Sequence, residues 1–459
     1  MSINHDNTTD YIPNFNSNLN INVIKKLYTS NNSTVWVIES NNEFSIIKGY
    51  LLEKNSDDLS ASHIKSERQI LTVFKEKSLH PYWIKALKDE KYIYLNYSLT
   101  EGIELNKLVD ILNFDISNNT DDFISNSNIT DLNSIHNYVE FIEFKYLILS
   151  NIVFLINKQL KNINKCNYIY RDLKMSNIII DDDIYPNIID YGFSKELVNN
   201  EYTNTVCGTY HSMAPEMFIN KIVSIFKNIK IDNNTCSNEY NLYTYLEKLI
   251  KNYYINCKNE DNINLEKNCY NYKVDCYSLG VLLLELFTQK NLFQYVYEFT
   301  IENIINSFEK NFEILLNKSY LNYVQDNLVH QKLNIFIDKL NNSLKNNEIY
   351  IKIKDKINNL LLIEQNITGL IDGLLDIDYD KRLSIEDVEN HTLFKILHIN
   401  DKSRTNIVKH SINNFRYNSY IKNYIDNLVN YVLDNGIFID NLEEEYLNDK
   451  NNIDVFNNF

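Results

Sequence analysis

Glycine and proline are scarce in this chain, which has 8 Gly and 4 Pro among its 459 residues. Asparagine, isoleucine, tyrosine and lysine dominate instead, and we interpret this as a compositional bias that carries no fold signal. The six cysteines form no C-x-x-C pair, and none has a histidine at metal-binding spacing. These absences argue against a cysteine metal site and predict free thiols in a reducing compartment.

Long apolar runs are also missing. Residues 279–287 are too few to span a membrane, and they include Glu285. The first residues show neither a signal peptide nor a myristoylation glycine. The formal net charge of −16 argues against nucleic acid as a partner and would attract a basic peptide, unless the acidity serves solubility alone. We therefore expect a cytoplasmic protein with nuclear access open and no membrane partner.

Four short motifs follow one another between residues 170 and 216. They read YRDLKMSN at 170–177, DYG at 190–192, CGT at 207–209 and APE at 214–216. The apolar runs 178–180 and 187–189 adjoin the first two motifs, and we interpret them as a pair of strands. Two surface hairpins with ordinary Asp and Asn turn residues are the simplest alternative.

In order and spacing these motifs resemble the catalytic loop, metal-binding loop and activation-segment end of a eukaryotic protein kinase, and the resemblance implies phosphoryl transfer. That reaction needs a carboxylate near the attacking hydroxyl, which Asp172 would supply as the catalytic base. It needs oxygen ligands for magnesium on the phosphates, for which Asn177 and Asp190 are the candidates. It also needs a cation near the transferred group, and Lys174 lies two residues after the base. We therefore predict ATP and Mg2+ as cofactors.

A lysine and a glutamate upstream would complete the nucleotide site. Lys48 ends the short apolar strand 44–48, and Glu67 lies 19 residues later in an amphipathic helical stretch, 63–74. Such a pair serves transfer because the lysine holds the phosphates and the glutamate holds the lysine. We predict this ion pair, although a lysine that closes a strand is by itself more often a solvated edge residue.

The stretch expected to cover the phosphates, residues 28–35, contains no glycine. Ser30 and Ser33 stand where glycines would let backbone amides approach phosphates. Serine and asparagine are the least bulky alternatives, so we expect Ser30, Ser33 and Val35 to bind the cofactor with altered phosphate contact. A polar hairpin turn without a phosphate role is the alternative.

These motifs resemble those of eukaryotic protein kinases, most closely the AGC group of serine/threonine kinases near the catalytic chains of cyclic-nucleotide-dependent kinases. The catalytic loop begins with Tyr170 in place of histidine, and HPYWIK at 80–85 and VDCYSLGV at 274–281 resemble segments of that group. The resemblance covers residues 27–112, 140–218, 272–293 and 369–394. It implies an α+β, two-lobed fold with an N-terminal antiparallel sheet plus one helix, a mainly helical C-terminal lobe, and ATP and magnesium between them. It also implies that Arg382 pairs with Glu216.

The resemblance divides the chain into an extension at 1–20, an N-terminal lobe at 21–100, a C-terminal lobe at 101–398 and a tail at 399–459 that packs on the N-terminal lobe. Insertions are expected near 113–137, 218–271 and 300–365, the last with helical stretches such as 351–363. The insertion at 218–271 is either a docking element or a plain surface expansion. Phe456 and Phe459 resemble a tail motif that docks on the N-terminal lobe, and 438–445 resembles the segment that passes the adenine pocket. A frayed terminus is the alternative.

Further site residues follow from the resemblance alone. Glu104 and Glu285 match acidic positions that read arginine in the substrate, and Glu104 is also assigned to the nucleotide site. Ser176 stands where basic-directed kinases of the group often have glutamate, so strict selection of two arginines is not implied. Thr205 matches the activating phosphosite, and Arg171 and Lys195 are the cations expected to hold its phosphate.

We therefore predict an ATP-dependent serine/threonine protein kinase that acts on a protein substrate with basic residues upstream of the acceptor. A pseudokinase that binds partners without catalysis is the main alternative, since the phosphate loop lacks glycine. A small-molecule phosphotransferase of kinase-like fold is a second alternative, against which the CGT-to-APE segment argues. Control by cyclic nucleotide would require a separate regulatory subunit, because no domain that binds it is recognisable in the sequence.

Overall fold

The structure, a computed structural model, describes residues 21–30, 33–51, 58–88, 92–112, 132–197, 203, 205, 207–228, 237–258, 270–289, 292–293, 300–327, 329, 347–399 and 419–438. The chain divides into two compact units. Unit 1 comprises Met1–Gly102, Ile189–Gly192 and Gly436–Phe459, and unit 2 comprises Ile103–Ile188 and Phe193–Asn435. The expected extension at 1–20 and the tail residues Phe456 and Phe459 lie outside the described residues.

The described part of unit 1 contains an antiparallel sheet with strand order β1-β2-β3-β5-β4. Its elements are β1 (Ile21–Thr29), β2 (Ser33–Ser40), β3 (Glu43–Leu51), the helix α1 (Asp58–Glu76), β4 (Trp83–Lys88) and β5 (Tyr92–Ser98). In the hairpin between β2 and β3, Asn41 and Asn42 both have positive φ, 54° and 63°. Two such residues match the twist of the flanking strands, and asparagine accepts this backbone region better than most residues.

Alternation along the strands sorts the apolar side chains of unit 1 onto the two faces of the sheet. The buried cluster on one face consists of Trp36, Ile38, Ile47 and Tyr94. Val37 and Ile46 are buried on the other face. Each such side chain contributes roughly 1.5–3 kcal/mol when it leaves water. Lys48 follows Ile46 by two residues on β3, so the same alternation places it on the face of Val37 and Ile46.

A C-terminal segment of unit 1 lies against this second face. Ile437 packs on the cluster of Val37 and Ile46, and its backbone exchanges hydrogen bonds of 2.9 and 3.0 Å with Gly102. The next residue, Phe438, is buried. The start of the tail segment expected at 438–445 thus belongs to unit 1, and residues 439–445 lie outside the described residues.

Unit 2 is mainly helical where it is described. Its helices are α2 (Leu132–Lys165), α3 (Pro215–Asn228), α4 (Ser237–Lys258), α5 (Lys273–Thr288), α6 (Ile301–Leu316), α7 (Ser319–Asn327), α8 (Glu348–Leu374), α9 (Ile385–Glu389), α10 (Thr392–Ile396) and α11 (Ser419–Asn435). Its short strands are β6 (Ile103–Glu104), β7 (Tyr168–Ile169), β8 (Ile178–Ile180), β9 (Pro186–Ile188) and β10 (Lys195–Glu196). The antiparallel pairing of β8 with β9 confirms the predicted strand pair, and β9 begins and ends one residue earlier than the predicted run 187–189. The α+β organisation predicted from the sequence is confirmed.

Helix α5 forms a buried centre of unit 2. Every residue from Val274 to Leu286 is buried, as expected for a helix that is apolar on nearly all sides. At Gly280 a Cβ atom would lie 2.7 Å from the Cβ of Leu374 on α8, so the absence of a side chain allows the two helices to approach closely. This buried helix supports the loop that carries the YRDLKMSN motif, since its Asp275 accepts hydrogen bonds from the amides of Tyr170 and Arg171.

A buried ion pair joins the APE motif to the segment after α8. The Arg382 guanidinium donates to both carboxylate oxygens of Glu216, at 2.6 and 3.0 Å. Both side chains are buried, and Arg382 also lies over the ring of Tyr277, 5.2 Å from its centroid. This two-point geometry suits a buried pair, because each charged atom is satisfied. The pairing implied by the resemblance is therefore confirmed.

The expected insertions are described only in part. Helices α3 and α4 occupy much of 218–271, and α6, α7 and the start of α8 occupy much of 300–365. The helix predicted at 351–363 is confirmed, since it falls inside α8. Of the insertion at 113–137, only residues 132–137 are described, and they begin α2. Among the described residues, none of the helices combines the length and the apolar character that crossing a membrane requires.

Candidate active site

Unit 1 brings together Lys48, Glu67 and Asp190 from three separate parts of the chain. Lys48 lies on β3 and Glu67 on α1, and the Lys48 Nζ is 3.4 Å from each oxygen of the Glu67 carboxylate. The same Nζ is 2.7 Å from Oδ1 of Asp190. Lys48 and Glu67 are 6% and 1% exposed, whereas the Asp190 side chain is 39% exposed. One buried ammonium therefore serves two carboxylates.

The charges in this cluster shift one another's titration. Burial lowers the pKa of Lys48, but the carboxylates of Asp190 and Glu67 outweigh burial, so its pKa is well above the usual value. Burial raises the pKa of Glu67, against the opposing effect of Lys48. Lys48 consequently keeps its charge, and Glu67 depends on its few hydrogen-bond donors to remain ionised.

Asp190 occupies an uncommon backbone conformation. Its φ is +58°, which few residues other than glycine adopt. Its Oδ1 accepts a hydrogen bond of 3.3 Å from the Gly192 amide, and the intervening Tyr191 ring packs edge-on against Phe74 of α1 at 5.0 Å. The buried Tyr191 side chain therefore holds the turn that directs the Asp190 carboxylate toward Lys48.

In the glycine-less stretch of unit 1, Ser30 and Ser33 are hydrogen-bonded to each other, and residues 31 and 32 lie outside the described residues. The Ser30 amide donates to the Ser33 carbonyl at 2.8 Å, and the Ser33 amide donates to the Ser30 hydroxyl at 3.1 Å. Val35 stands opposite Lys48 in the β2–β3 register and so shares its face of the sheet. Val35 therefore lies next to Lys48. The backbone amides of Ser30 and Ser33 are both hydrogen-bonded within their own turn.

Unit 2 builds a second cluster around the buried carboxylate of Asp172, which is 2% exposed. Its Oδ2 accepts a hydrogen bond of 2.9 Å from the Asn177 amide and lies 3.0 Å from Lys174 Nζ. Its Oδ1 accepts a hydrogen bond of 2.5 Å from the Thr209 hydroxyl, and Lys174 donates to that hydroxyl at 3.0 Å. One carboxylate is therefore oriented by an ammonium, an amide and a hydroxyl.

Helix α5 fixes the loop that carries Asp172. The backbone amides of Tyr170 and Arg171 donate to the Asp275 carboxylate at 2.8 and 2.7 Å. Burial raises the pKa of Asp275 to about 6, although those two hydrogen bonds oppose the shift. At Gly208, which has φ +98°, a Cβ atom would lie 2.3 Å from the Arg171 carbonyl oxygen. The CGT motif needs its glycine because the backbone passes so close to the catalytic loop.

Thr205, the expected phosphosite, lies in a small polar cluster of unit 2. Arg171 Nη1 donates to the Thr205 hydroxyl at 2.7 Å and to the Tyr270 hydroxyl at 2.9 Å. The Tyr270 hydroxyl donates to the Thr205 carbonyl, and Tyr270 forms a two-way backbone bridge with Thr203. Arg171 is thus placed as expected beside Thr205. Lys195 is exposed on β10, and its contact with a phosphate on Thr205 stays a prediction.

The residues assigned to substrate reading differ in their surroundings. Glu285 on α5 is 8% exposed, and its Oε1 is a buried oxygen for which the described residues supply no hydrogen-bond partner. Burial raises its pKa from the usual 4.5 to about 7. Glu104 lies half-buried on β6, and Ser176 is exposed. His211 lies between the CGT and APE motifs. Burial lowers the pKa of its imidazole to about 4, with a smaller contribution from the charge of Lys174, so the imidazole is neutral at neutral pH.

The donor sets of both clusters fit magnesium and nucleotide phosphates. Asn177 uses its amide nitrogen to donate to the Asp172 carbonyl and carboxylate, both at 2.9 Å, which leaves its amide oxygen as the atom able to ligate a cation. Asp190 offers a partly exposed carboxylate. Amide and carboxylate oxygens are the ligands that Mg2+ prefers. The ammonium groups of Lys48 and Lys174, one in each cluster, are the kind of donor that would bind phosphate oxygens.

Sequence reasoning missed three residues of these clusters: Tyr50, Tyr270 and Asp275. The Tyr50 hydroxyl donates to Glu67 Oε2 in unit 1. Alternation on β3 was a usable signal for Tyr50, since it places this side chain on the face of Lys48. Tyr270 lies at the edge of the expected insertion, and no local pattern indicated its contact with Thr203 and Thr205. Asp275 was included in a motif but was given no role.

Comparison with known proteins defines the family. The protein kinase domain family model matches residues 29–226 and 261–394, which is more than half of the chain. The chain therefore belongs to the protein kinase domain family. Residues 227–260 fall between the two matched segments, inside the insertion expected at 218–271.

Individual relatives narrow the resemblance. The chain is 51% identical to Developmentally-regulated protein kinase 1 of Dictyostelium discoideum over 51 residues, 11% of this chain and 7% of that protein. It is 31% identical to cGMP-dependent protein kinase 2 of Mus musculus over 169 residues, and 27% identical to that of Rattus norvegicus over 168 residues. The latter two alignments cover 36% of this chain and 18% of each relative, so the chain spans less than a fifth of these relatives. The predicted similarity to cyclic-nucleotide-dependent kinases is confirmed.

Proposed function

We propose that this chain is a serine/threonine protein kinase that transfers the γ-phosphoryl group of Mg-ATP to a protein substrate. The observation that carries the proposal is the arrangement around Asp172, whose carboxylate is held by Thr209, Asn177 and Lys174 at 2.5–3.0 Å. A buried carboxylate fixed at both oxygens beside an ammonium is suited to orient a hydroxyl and accept its proton.

Each residue has a distinct role in this proposal. Asp172 accepts the proton of the substrate hydroxyl, and Lys174 stabilises the negative charge on the transferred group. Lys48 binds phosphate oxygens, and Glu67 holds Lys48 in place. Asn177 and Asp190 are the magnesium ligands, and the bound ion would neutralise charge on the phosphates. The family membership and the donor sets of the two clusters support these assignments.

We propose that the substrate carries basic residues upstream of its acceptor. Glu285 supports this, because it is a buried carboxylate with an oxygen that lacks a partner among the described residues, and a guanidinium would satisfy it. Glu104 supplies a second, half-buried carboxylate. The serine at position 176 brings no charge, so a second arginine in the substrate should add less than the first.

We propose that phosphorylation of Thr205 raises activity. Its hydroxyl already lies 2.7 Å from Arg171, and a phosphate there would form a charge-assisted pair with that guanidinium. Because Arg171 is next to Asp172, the pair would stabilise the catalytic loop. Phosphatase treatment and Thr205→Ala should lower turnover to the same extent. Active enzyme with wholly unmodified Thr205 by mass spectrometry would contradict this proposal.

The turn formed by Ser30 and Ser33 favours a second candidate, a pseudokinase. Both amides are engaged inside the turn, which reduces the donors that a phosphate would otherwise meet. The deciding experiment is incorporation of labelled phosphate from Mg-ATP into a basic peptide library, with a matched library whose Ser and Thr acceptors are replaced by Ala. Incorporation into the first library alone supports the kinase. Nucleotide binding without incorporation supports the pseudokinase.

A further inference from the structure

Tyr50 is a buried tyrosine beside the unit 1 cluster of Lys48, Glu67 and Asp190. It follows Lys48 by two residues on β3, so both side chains lie on one face of the sheet. Its hydroxyl donates to Oε2 of Glu67, and the Lys48 ammonium lies 5.3 Å from the centroid of its ring. Tyr50 is 6% exposed and Glu67 is 1% exposed, so water does not compete for this hydrogen bond.

The distances show that Lys48 alone does not satisfy Glu67. The lysine is 2.7 Å from Asp190 but 3.4 Å from either oxygen of Glu67. An ionised carboxylate with 1% exposure is costly unless it is well hydrogen-bonded. The Tyr50 hydroxyl supplies the close donor that Lys48, drawn toward Asp190, does not.

We propose that Tyr50 is a positioning residue, whose hydroxyl fixes the Glu67 carboxylate and thereby holds α1 where Glu67 meets Lys48. The inference rests on the proposed kinase function for its kinetic consequence, and on geometry alone for its structural one. The neutral Tyr50 hydroxyl thus shares with Lys48 the role of holding the Glu67 carboxylate.

The titration behaviour of the pair agrees with this assignment. Burial, and then the Glu67 carboxylate, raise the pKa of Tyr50 well above its usual value, so the phenol remains a donor throughout the physiological range. The same hydrogen bond lowers the pKa of Glu67 and so favours its ionised form.

A purely structural role for Tyr50 would come from its ring, so Tyr50→Phe separates the two roles. This variant keeps the ring that packs under Lys48 and removes only the donor. The matched control is Tyr94→Phe, a buried tyrosine of the same sheet that belongs to the cluster of Trp36 and Ile47 on the opposite face. Because a hydrogen bond to a charged group is lost, we expect kcat/KM for ATP to fall about tenfold in Tyr50→Phe and to stay near wild type in the control.

A second measurement needs no phosphoryl transfer. Backbone hydrogen exchange over residues 63–76 of α1 reports how often the hydrogen bonds of this helix open. We expect exchange there to become about tenfold faster in Tyr50→Phe than in wild type or Tyr94→Phe. The acceleration should shrink in a Glu67→Gln background, where the acceptor carries no charge.

These readouts distinguish the possible failures. If the wild type transfers no phosphate, the proposed function fails, and hydrogen exchange still decides the role of Tyr50. If Tyr50→Phe matches Tyr94→Phe in exchange and in any measurable turnover, the inference is overturned. An effect of Tyr50→Phe that is equally large with Glu67→Gln would also overturn it, since the hydroxyl would then act elsewhere.

Discussion

The two clusters differ in how many donors each carboxylate receives. In unit 2 the single carboxylate of Asp172 is held by Lys174, Asn177 and Thr209, at 2.5–3.0 Å. In unit 1 the single ammonium of Lys48 is shared between Asp190 at 2.7 Å and Glu67 at 3.4 Å. The Asp172 carboxylate thus has three side-chain donors. In unit 1, Glu67 shares Lys48 with Asp190 and also accepts from the neutral Tyr50 hydroxyl, and Asp190 also accepts from the Gly192 amide. Neutralising Asp172 should therefore leave its loop in place and lower turnover, whereas removing Asp190 should disturb Lys48 and weaken ATP binding.

The largest effect should follow from Asp172→Asn. The amide keeps the shape of the side chain but cannot accept the substrate proton, so we expect turnover to fall roughly 10²–10⁴-fold. Because Thr209 and Asn177 still hold the loop, nucleotide affinity should change little. Turnover on the best library peptide and nucleotide titration measure the two quantities.

The matched control for Asp172→Asn is Asp182→Asn, since Asp182 is exposed and follows strand β8. That control should retain wild-type turnover. Wild-type turnover in Asp172→Asn would exclude Asp172 as the base, and a collapse of nucleotide affinity would show that its carboxylate holds the fold of the site.

Asp190→Ala tests the cluster with the shared cation. It removes a proposed magnesium ligand and also the closest partner of Lys48, at 2.7 Å. Loss of a charge-assisted contact predicts a roughly 10–100-fold weaker ATP affinity in the presence of magnesium. Without magnesium the loss should be much smaller, because the ligand role is then unused.

Calorimetric titration with and without magnesium, beside Asp182→Ala, measures this difference. Equal weakening in both conditions would show that Asp190 acts through Lys48 and not through the metal. Unchanged affinity in both would remove Asp190 from the nucleotide site.

Several residues of the two clusters were predictable from the sequence. Asp172, Lys174, Asn177 and Asp190 stand in motifs whose order and spacing indicate their chemistry. Their partners within each loop are a few residues away, so local patterns were sufficient. The buried pair of Glu216 and Arg382 was also predictable, but only from the resemblance.

The remaining contacts depend on tertiary packing that local sequence does not encode. Tyr50 and Glu67 are separated by 17 residues and lie on a strand and a helix. Tyr270 reaches Thr205 across 65 residues, from the edge of a segment that looked inserted. With 34 tyrosines in the chain, no compositional signal distinguishes these two. Lys195 stays a prediction: β10 pairs with β7 and leaves its side chain exposed, and its contact with a phosphate on Thr205 is untested.

A smaller effect should come from Glu285, through pH. Its carboxyl has a pKa of about 7, raised by burial from 4.5, so it is mainly neutral at pH 6 and mainly ionised at pH 8. If it reads arginine, the preference for a peptide with an upstream arginine should rise with pH, up to about tenfold from pH 6 to pH 8. Glu285→Gln should flatten this dependence and leave the peptide without arginine unaffected.

The pH dependence of the free energy of unfolding provides an independent test of the Glu285 carboxyl. Because the folded pKa is raised, the contribution of Glu285 to stability is complete below about pH 4.5 and is lost as pH rises toward 7. Glu285→Gln should therefore unfold with a weaker pH dependence in that window. A pH-independent arginine preference in the wild type would argue against Glu285 as the reader.

The smallest effect should follow from Ser30→Gly in the turn of unit 1. In the wild type the Ser30 hydroxyl accepts the Ser33 amide at 3.1 Å, so that donor is engaged inside the turn. Glycine removes the hydroxyl and its Cβ, and so frees one amide for phosphate. A neutral hydrogen bond contributes only about 1 kcal/mol, and the extra backbone freedom of glycine offsets part of it, so we expect ATP affinity to rise about two- to threefold.

Ser40→Gly, at the far end of β2, is the control for the general cost of glycine in this hairpin. Because the proposal assigns proton transfer to the Asp172 cluster and not to Ser30, turnover at saturating ATP should stay constant. Weaker ATP binding in Ser30→Gly would instead show that the serine hydroxyl itself contacts the nucleotide.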